Sequence, residues 1–318
     1  MKNIIISNEK KLNETIQRMI KDGPSKLHIL SDFDRTLTKS YANGTKIPSI
    51  IALIRGGGYL SQDYVKKAYE LHDIYHPIEI NNNISYKFKN KKMHEWWRKH
   101  FDLLVNSGMN KDVIKDIVVK KKIPFRKGTF ELFDLSNENN IPIVIMSATT
   151  GDIAQESLRF ENKLSPNIHL IANMFIWNKE GKATGVKEPI IHSLNKHEIE
   201  IKSLPIYKEL LKRKNVILMG DLIEDLDMIS GFPYKNIMKI GFLNENIKEN
   251  LDVFKNNFDV IITGDADMNY INELLKKIIG WNIQIFTGKN LNFAEVIEFF
   301  DTHSFMTIFF HMLVCKFD

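Results

Sequence analysis

The amino-acid sequence predicts an α/β fold, with a doubly wound, mainly parallel sheet and an inserted helical cap. Three short apolar runs, residues 27–30, 143–146 and 216–219, are each followed directly by a polar loop. Between the first two runs, about residues 43–122 show helical patterns without a strong strand pattern. Strands that alternate with helices favour a parallel sheet covered by helices on both faces.

A short amphipathic helix is predicted before the first apolar run. Apolar residues recur at helical spacing within residues 13–22. Gly23 and Pro24 follow, and both residue types end helices. The sheet is therefore expected to begin with residues 27–30.

Three helices are predicted within the cap. Ser61 and Asn110 are suited to cap the first and the third. The second carries an apolar stripe over residues 93–104 and stops at Gly108. Glycines 56–58 predict a flexible joint before these helices. An all-helical subdomain without a ligand role is the alternative for this region.

The alternation of strands and helices resumes after the second apolar run. Further strands are predicted at residues 168–171, 175–177, 237–240 and 260–262. These complete the expected parallel sheet.

Asp32 and Asp34 follow the first apolar run, two residues apart. The loop after a parallel strand points into a ligand crevice, and an extended chain would place both side chains on one side. Two close carboxylates stay ionised most easily around a cation, and oxygen ligands suit Mg²⁺. A solvated turn is the alternative.

The other two apolar runs are also followed by polar segments whose groups can bind a ligand or a metal ion. Residues 147–150 are small or hydroxyl-bearing, and before a helix they offer the N–H and O–H donors that a phosphate needs. Gly220 allows a tight exit from the third run, and Asp221 then adds a third carboxylate at a strand end.

Composition narrows the possible partners and compartment. The chain has 318 residues, 43% of them hydrophobic, and this length and hydrophobic content are enough for a full core. Its formal charge is +5. No cluster of Arg and Lys alternates with aromatic residues, so a nucleic-acid polymer is not expected as a partner. Cys315 is the only cysteine, which favours a reducing compartment. No apolar run is long enough to span a bilayer, and the N-terminal one is too short for a signal peptide.

The ordered set of motifs resembles the haloacid dehalogenase-like phosphohydrolases and, more narrowly, the cytosolic 5′-nucleotidases of type III. That family includes pyrimidine nucleotidases and a branch that acts on 7-methylguanosine monophosphate. The resemblance covers roughly residues 12–279. The segments that carry it are Ser31-Asp32-Phe33-Asp34-x-Thr36, Glu95-Trp96-Trp97, Ser147-Ala148 with Gly151-Asp152, Asn195-Lys196-His197, Gly220-Asp221-x-x-x-Asp225 and residues 239–244.

The resemblance implies roles for the acidic residues. Asp32 would be the nucleophile that forms an aspartyl-phosphate. Asp34 would protonate the leaving oxygen and later activate water. Asp32, the backbone carbonyl of Asp34 and Asp221 would bind Mg²⁺, whereas Asp225 would orient water or a lysine.

The resemblance also implies a phosphate site and a base site. Ser147, the N–H of Ala148 and Lys196 would hold the phosphoryl oxygens. In the cap, Glu95 would accept hydrogen bonds from the edge of a nucleobase and Trp97 would stack on its ring. A tryptophan at this position resembles the 7-methylguanosine branch.

Other residues of these segments carry different expectations. Trp96 and His197 are expected to be structural. Thr149 departs from the family, which usually has glycine there, and its β-branched side chain narrows the backbone conformations open to this position. Arg35 is also unusual between Asp34 and Thr36, where it either faces solvent or meets the substrate mouth.

Together these observations predict a cytoplasmic, monomeric, magnesium-dependent 5′-nucleotidase for CMP, UMP or 7-methylguanosine monophosphate. Its core is expected at residues 1–42 and 123–280 and its cap at residues 43–122. Residues 281–318, with an apolar stretch at 305–314, form an extension of unknown role. A phosphatase for a sugar phosphate or phosphoserine, and a catalytically silent nucleotide-binding paralogue, remain as alternatives.

Overall fold

The computed structural model describes most of the chain up to the predicted C-terminal extension. His197 and the apolar stretch at residues 305–314 lie outside the described residues. For residues 281–287 only the helical backbone is described. The described ranges are 3–81, 83–120, 122–196, 205–230 and 232–287.

The described residues form eleven strands, of which seven build one central sheet. Two of the others form a short hairpin near the first polar loop, and two form a hairpin after the second strand–helix unit. In chain order the strands are β1 Ile4–Ile6, β2 Leu27–Ser31, β3 Tyr41–Ala42, β4 Thr45–Lys46, β5 Ile143–Thr150, β6 Ile168–Asn173, β7 Phe175–Trp177, β8 Ala183–Val186, β9 Asn215–Gly220, β10 Asn236–Leu243 and β11 Val260–Thr263.

The strand order of the central sheet is β1-β11-β10-β9-β2-β5-β6. Strand β1 is antiparallel to β11, and the other neighbouring pairs in the described sheet are parallel. From β2 the chain extends the sheet in one direction through β5 and β6, and then in the other through β9, β10 and β11. The sheet is therefore doubly wound about β2, and such a switch point opens a crevice at the carboxyl ends of the strands.

Helices of the described chain cover the sheet and form the cap. In chain order they are α1 Glu9–Asp22, α2 Ile50–Gly56, α3 Gln62–Ile80, α4 Tyr86–Asn106, α5 Lys111–Val119, α6 Thr129–Glu138, α7 Gly151–Phe160, α8 Tyr207–Leu210, α9 Ile247–Asn257 and α10 Asn269–Thr287. The predicted α/β class, with a mainly parallel sheet and an inserted set of helices, is confirmed.

Helix boundaries follow the capping residues that the sequence predicts. The side chain of Asn110 accepts from the N–H groups of Asp112 and Val113 at the start of α5, and that of Ser61 caps α3. Gly23, with a φ of 76°, ends α1. These side chains satisfy backbone groups that a helix end leaves free.

The segment before α3 differs from its prediction. The glycines expected to form a flexible joint instead end a further helix, α2, with Gly57 as its C-cap. Before α2, Asn43 and Gly44 both have positive φ and join β3 to β4 in a tight hairpin. Asn-Gly is the usual sequence of such a turn, so the sequence contains a signal for this hairpin that the prediction of the fold did not include.

Strand β2 is buried along its whole length, as expected for the central strand of a parallel sheet. The chain segment that leads from the core into the cap is paired with the segment that leads back from the cap to the core. Thr38 and Phe125 form an antiparallel bridge, and the N–H of Lys39 donates to the carbonyl of Pro124. The helices between them thus begin and end at one place on the core.

No helix in the described ranges is long and apolar enough to cross a membrane.

Candidate active site

Three polar segments meet at the switch point of the sheet. Asp32 follows β2, Ser147 lies near the end of β5, and Asp221 follows β9. The N–H of Asp32 donates to the carbonyl of Met219, which continues the β2–β9 pairing to the edge of the sheet. The topology therefore brings together residues that lie far apart in the sequence.

Lys196 links two of the acidic residues. Its Nζ lies 2.6 Å from Oδ1 of Asp32 and 2.6 Å from Oδ1 of Asp225. The side chains of all three residues are at most 7% exposed. Burial alone would lower the pKa of Lys196, but the charges of Asp225 and Asp32 outweigh it and raise that pKa. The lysine therefore stays charged beside the carboxylates.

Asp225 uses its whole carboxylate within the protein. Oδ1 accepts from Lys196, and Oδ2 accepts from the N–H groups of Asp221 and Leu222 at 3.0 Å each. A Cβ on Gly220 would lie 2.4 Å from Cβ of Asp225, so glycine is required there by this close approach. These contacts support an orienting role for Asp225.

Oxygen atoms of Asp32, Asp221 and Asp225 all lie within 4.8 Å of one another. Burial, together with the neighbouring carboxylates, raises the pKa of Asp32 to about 7 and that of Asp221 well above its ordinary value. A divalent cation would offset this concentration of negative charge, and a set of carboxylate oxygens is the donor chemistry that Mg²⁺ prefers. The residues therefore fit a magnesium ion.

Asp34 lies beside this cluster in a different environment. It keeps some contact with solvent, yet desolvation by the surrounding protein raises its pKa to about 6. The charge of Arg35, the hydroxyl of Thr149 and the N–H of Ile50 lower that pKa in part. A carboxyl group with a pKa near 6 can both give and take a proton close to neutral pH.

Strand β5 continues to Thr150, so the residues that the sequence predicts as a phosphate loop lie in the last part of this strand, where Ser147 presents a hydroxyl. Oγ of the buried Ser147 accepts from the N–H of Thr149 at 3.2 Å, which leaves its O–H available to donate to an anion. The carbonyl of Ala148 accepts from Nδ2 of Asn173 at 2.7 Å. The side chain of Asn173 also pairs with both backbone groups of Ile191. Asn173 thus joins the predicted phosphate loop to the segment that leads to Lys196.

The segment before Lys196 is folded by its own side chains. Oδ1 of Asn195 accepts from the N–H of His192, and its Nδ2 donates to the carbonyl of Ile190. Asn195 is 6% exposed. Its role in the predicted Asn-Lys-His segment is therefore to shape the turn that places Lys196.

Arg126, which sequence reasoning missed, anchors the loop that carries Asp34. Its buried guanidinium donates to the carbonyls of Arg35 and Thr36 and lies 3.1 Å from Oδ1 of Asp265. Asp265 also accepts from the N–H of Ser40, on the segment that leads into the cap. Arg35 itself has a φ of 60°, a left-handed conformation that is strained for a residue with a side chain. The contacts of Arg126 hold it there.

The two predicted base-binding residues both lie on α4 of the cap. The carboxylate of Glu95 accepts from Lys92, Lys99 and the hydroxyl of Tyr75 at 2.6–2.8 Å. Hydrogen bonds from these three groups lower the pKa of Glu95 to about 2. The ring of Trp97 is half-buried, and its Nε1 has no hydrogen-bond partner within the described part of the chain. Glu95 is therefore already bound on several sides, whereas the indole N–H is buried without a described partner.

A second cap carboxylate, Glu79, lies against the segment that leads to Lys196. Oε1 of Glu79 accepts from the hydroxyl of Ser193 at 3.1 Å, and Oε2 lies 3.2 Å from Nδ1 of His76. The hydroxyl of Tyr86 donates to the carbonyl of Leu194 in the same segment. Sequence reasoning missed Glu79, because it lies near the end of α3, outside the Glu95-Trp96-Trp97 segment on which the predicted base site rests.

Comparison with known proteins identifies relatives over most of the chain. The family model for pyrimidine 5′-nucleotidase (UMPH-1) matches residues 35–279. The 7-methylguanosine phosphate-specific 5′-nucleotidase of Mus musculus is 33% identical over 270 residues, which cover 85% of this chain and 90% of that protein. The protein of the same name from Drosophila melanogaster is 32% identical over 266 residues, 83% of each chain.

Solved structures agree with this assignment. The crystal structure of cytosolic 5′-nucleotidase IIIB bound to cytidine superposes with a TM-score of 0.81 and 27% identity, covering 89% of this chain and 96% of that one. A HAD family hydrolase from Salmonella enterica, at 14% identity and a TM-score of 0.52, shares the fold over 81% of this chain and 72% of its own. The chain has the haloacid dehalogenase-like fold and belongs to the pyrimidine 5′-nucleotidase (UMPH-1) family of enzymes.

Proposed function

We propose that this protein is a magnesium-dependent 5′-nucleotidase that hydrolyses nucleoside 5′-monophosphates to a nucleoside and inorganic phosphate. CMP, UMP and 7-methylguanosine monophosphate are the proposed substrates, from the names of the family and its relatives. The observation that carries the proposal is the meeting of Asp32, Asp34, Lys196 and Asp221 at the switch point of the sheet. Because the similar structure is that of a cytosolic 5′-nucleotidase, IIIB, we also propose a cytoplasmic location. We propose the monomer as the active form.

In the first step, a carboxylate oxygen of Asp32 attacks the phosphorus atom. The bond between phosphorus and the 5′-oxygen of the nucleoside breaks as the new bond forms, and Asp34 gives its proton to the leaving oxygen. The products are an aspartyl-phosphate and the free nucleoside. A protonated Asp34 is required here, and its raised pKa favours this form.

In the second step, Asp34, now a carboxylate, takes a proton from a water molecule. The water oxygen attacks the phosphorus atom, and the bond to Asp32 breaks. Inorganic phosphate leaves, while Asp32 regains its carboxylate and Asp34 its proton. The same residue thus serves first as acid and then as base, which requires a pKa not far from the working pH.

The transferred phosphoryl group needs positive charge and hydrogen-bond donors around its oxygen atoms. Lys196, the hydroxyl of Ser147 and the N–H of Ala148 are the proposed donors. Mg²⁺, held by Asp32, the backbone carbonyl of Asp34 and Asp221, would supply the charge that lowers repulsion between carboxylate and phosphate. Asp225 holds Lys196 in place.

The cap is proposed to select the base. Trp97, whose ring is half-buried, is proposed to stack on the base, and a cap carboxylate to accept from the edge of the base. Glu95 is the carboxylate that the sequence predicts, but it must exchange a lysine or tyrosine contact to bind a base. Glu79, beside the Lys196 segment, is a second candidate that the geometry favours.

A panel of phosphomonoesters tests the proposal. Phosphate release is measured with Mg²⁺ from CMP, UMP, AMP, GMP, 7-methylguanosine monophosphate, phosphoserine and glucose 6-phosphate. We expect the highest kcat/KM among CMP, UMP and 7-methylguanosine monophosphate. A preference for phosphoserine or the sugar phosphate supports another phosphatase of the same superfamily, and the absence of turnover supports a silent nucleotide-binding paralogue.

A further inference from the structure

Thr149 carries a hydroxyl group with no assigned task. The residue lies in β5, two positions after Ser147, and is 3% exposed. Its N–H is used, because it donates to Oγ of Ser147. Its Oγ1 is buried and has no hydrogen-bond partner among the residues that the structure describes. A buried hydroxyl without a partner is unfavourable, so its presence in a native structure indicates a functional role for that group.

The carboxyl of Asp34 lies near this hydroxyl. Ser31 pairs with Ile145 across β2 and β5, so Asp34 and Thr149, three and four residues further on, lie at the same edge of the sheet. The hydroxyl is among the groups that lower the pKa of Asp34, yet no hydrogen bond joins the two side chains in this structure. Thr149 is on β5 and Asp34 follows β2, and these strands are neighbours in the sheet. Neighbouring strands of the core thus bring the two residues together.

The geometry points to Thr149 as a positioning residue for Asp34. Once substrate is bound, its hydroxyl donates to one oxygen of the Asp34 carboxyl and turns the other oxygen towards the leaving 5′-oxygen. The inference rests on the proposed function. It holds in both steps, because one carboxyl oxygen accepts a hydrogen bond whether Asp34 is protonated or charged.

The residue type suits this task. Threonine has a restricted χ1, so a threonine held in a strand presents its hydroxyl in a nearly fixed direction. The N–H bond to Ser147 fixes the backbone as well. Asp34, by contrast, lies on a loop, where the N–H of Ile50 also acts on its carboxyl. A fixed donor on the strand restricts the orientation of that carboxyl further.

The competing role is direct binding of the phosphoryl group. Ser147 is two residues away in the same strand, and a second hydroxyl from it could donate to a non-bridging oxygen. The two roles differ in their dependence on the leaving group. A donor to the phosphoryl oxygens acts on every phosphomonoester, whereas the orientation of an acid matters most when the leaving oxygen is strongly basic.

The test compares Thr149→Val and Thr149→Ser with the parent, using CMP and p-nitrophenyl phosphate. The value measured is kcat/KM, which reports the step in which the leaving group departs. Valine keeps the shape and removes the donor, and we expect a loss of ~10-fold with CMP but less than ~3-fold with p-nitrophenyl phosphate, whose leaving group needs little acid. Serine should restore most of the activity with CMP.

Three controls separate the possible outcomes. Ser136→Ala removes another buried hydroxyl without a described partner, on α6, and should leave both kcat/KM values unchanged. Thermal unfolding of each variant shows whether the fold is retained. Inhibition by orthovanadate should be the same for the parent and for Thr149→Val.

Equal losses with the two substrates, weaker vanadate inhibition, or no loss at all in Thr149→Val would overturn the inference. If the parent does not hydrolyse CMP or another nucleotide, the proposed function fails. The Thr149 comparison is then made between p-nitrophenyl phosphate and the most basic leaving group that the parent accepts. A parent inactive on every phosphomonoester overturns both.

Discussion

Nζ of Lys196 lies 2.6 Å from Oδ1 of Asp32, although 164 positions separate the two residues in the sequence. Both side chains are buried, so the pair is poorly screened by solvent. The lysine holds the carboxylate in one orientation and favours its charged form, which is the form that attacks phosphorus. Asp225 holds the same ammonium group from the other side.

Replacement of Asp34 by asparagine should slow nucleotide hydrolysis by ~100-fold or more, the usual scale for loss of a general acid–base group. Asparagine keeps the shape of the side chain but cannot give its proton to the leaving oxygen. The measurement is kcat/KM for CMP and for p-nitrophenyl phosphate. The loss should be smaller for the second substrate, and equal losses would count against the acid role.

Removal of the metal should abolish activity, and Mg²⁺ should restore it. The raised pKa values of Asp32, at about 7, and Asp34, at about 6, give a second readout. Because these groups are harder to ionise in the folded state, the stability that they contribute is present below about pH 4 and is lost as the pH rises to 7. In EDTA, the free energy of unfolding should therefore fall across this range.

Asp221→Ala tests the same site from the other direction. With one carboxylate fewer, the variant should unfold at a higher temperature than the parent in EDTA at pH 8. It should also lose most of the stabilisation by Mg²⁺, which for the parent is about 2.7 kcal/mol when the free ion is at 100 times its Kd. Full activity in chelator, or an unchanged Mg²⁺ response in Asp221→Ala, would reject the magnesium site.

Trp97→Ala should reduce kcat/KM for 7-methylguanosine monophosphate more than for CMP. The methylated guanine is larger and carries positive charge, so it gains more from the indole ring. The difference should lie within the ~1–3 kcal/mol that is typical of stacking between a base and an aromatic side chain. Equal losses would assign Trp97 to the apolar core of the cap.

The two cap carboxylates can be separated by matched substitutions. Glu79→Gln should lower kcat/KM for CMP by ~10-fold, because a charged acceptor for the amino group of the base is lost. Glu95→Gln, which disturbs a carboxylate bound by Lys92 and Lys99, should have a smaller effect on CMP and a larger one on the thermal midpoint. The reverse order would place the base at Glu95, as the sequence predicts.

Much of the fold was predictable because apolar runs and capping residues act locally. The apolar runs of β2, β5 and β9 are visible in the sequence, and so is the Asn110 cap of α5, although β5 also continues through the polar residues 147–150, which were expected to form a loop. Strand β1 was missed because three isoleucines alone do not indicate a strand, and its pairing with β11 comes from the far end of the domain.

The site was predictable only in part. Asp32 and Asp221 could be placed at one edge of the sheet from topology, whereas Lys196 was found only through the family resemblance, since no strand pattern precedes it. Arg126 and Asn173 were missed, because each acts through contacts with segments distant in sequence. No local pattern distinguishes such residues from others of their type.

The nucleophile is the central claim, and trapping the phosphoenzyme tests it most directly. The parent is mixed with ³²P-labelled CMP and Mg²⁺, quenched in acid within milliseconds, and digested for mapping by mass spectrometry. The label should reside on Asp32, and Asp32→Asn, with its fold checked by circular dichroism, should carry no label and show no turnover. Label on another residue, or turnover by Asp32→Asn close to that of the parent, would contradict the assignment.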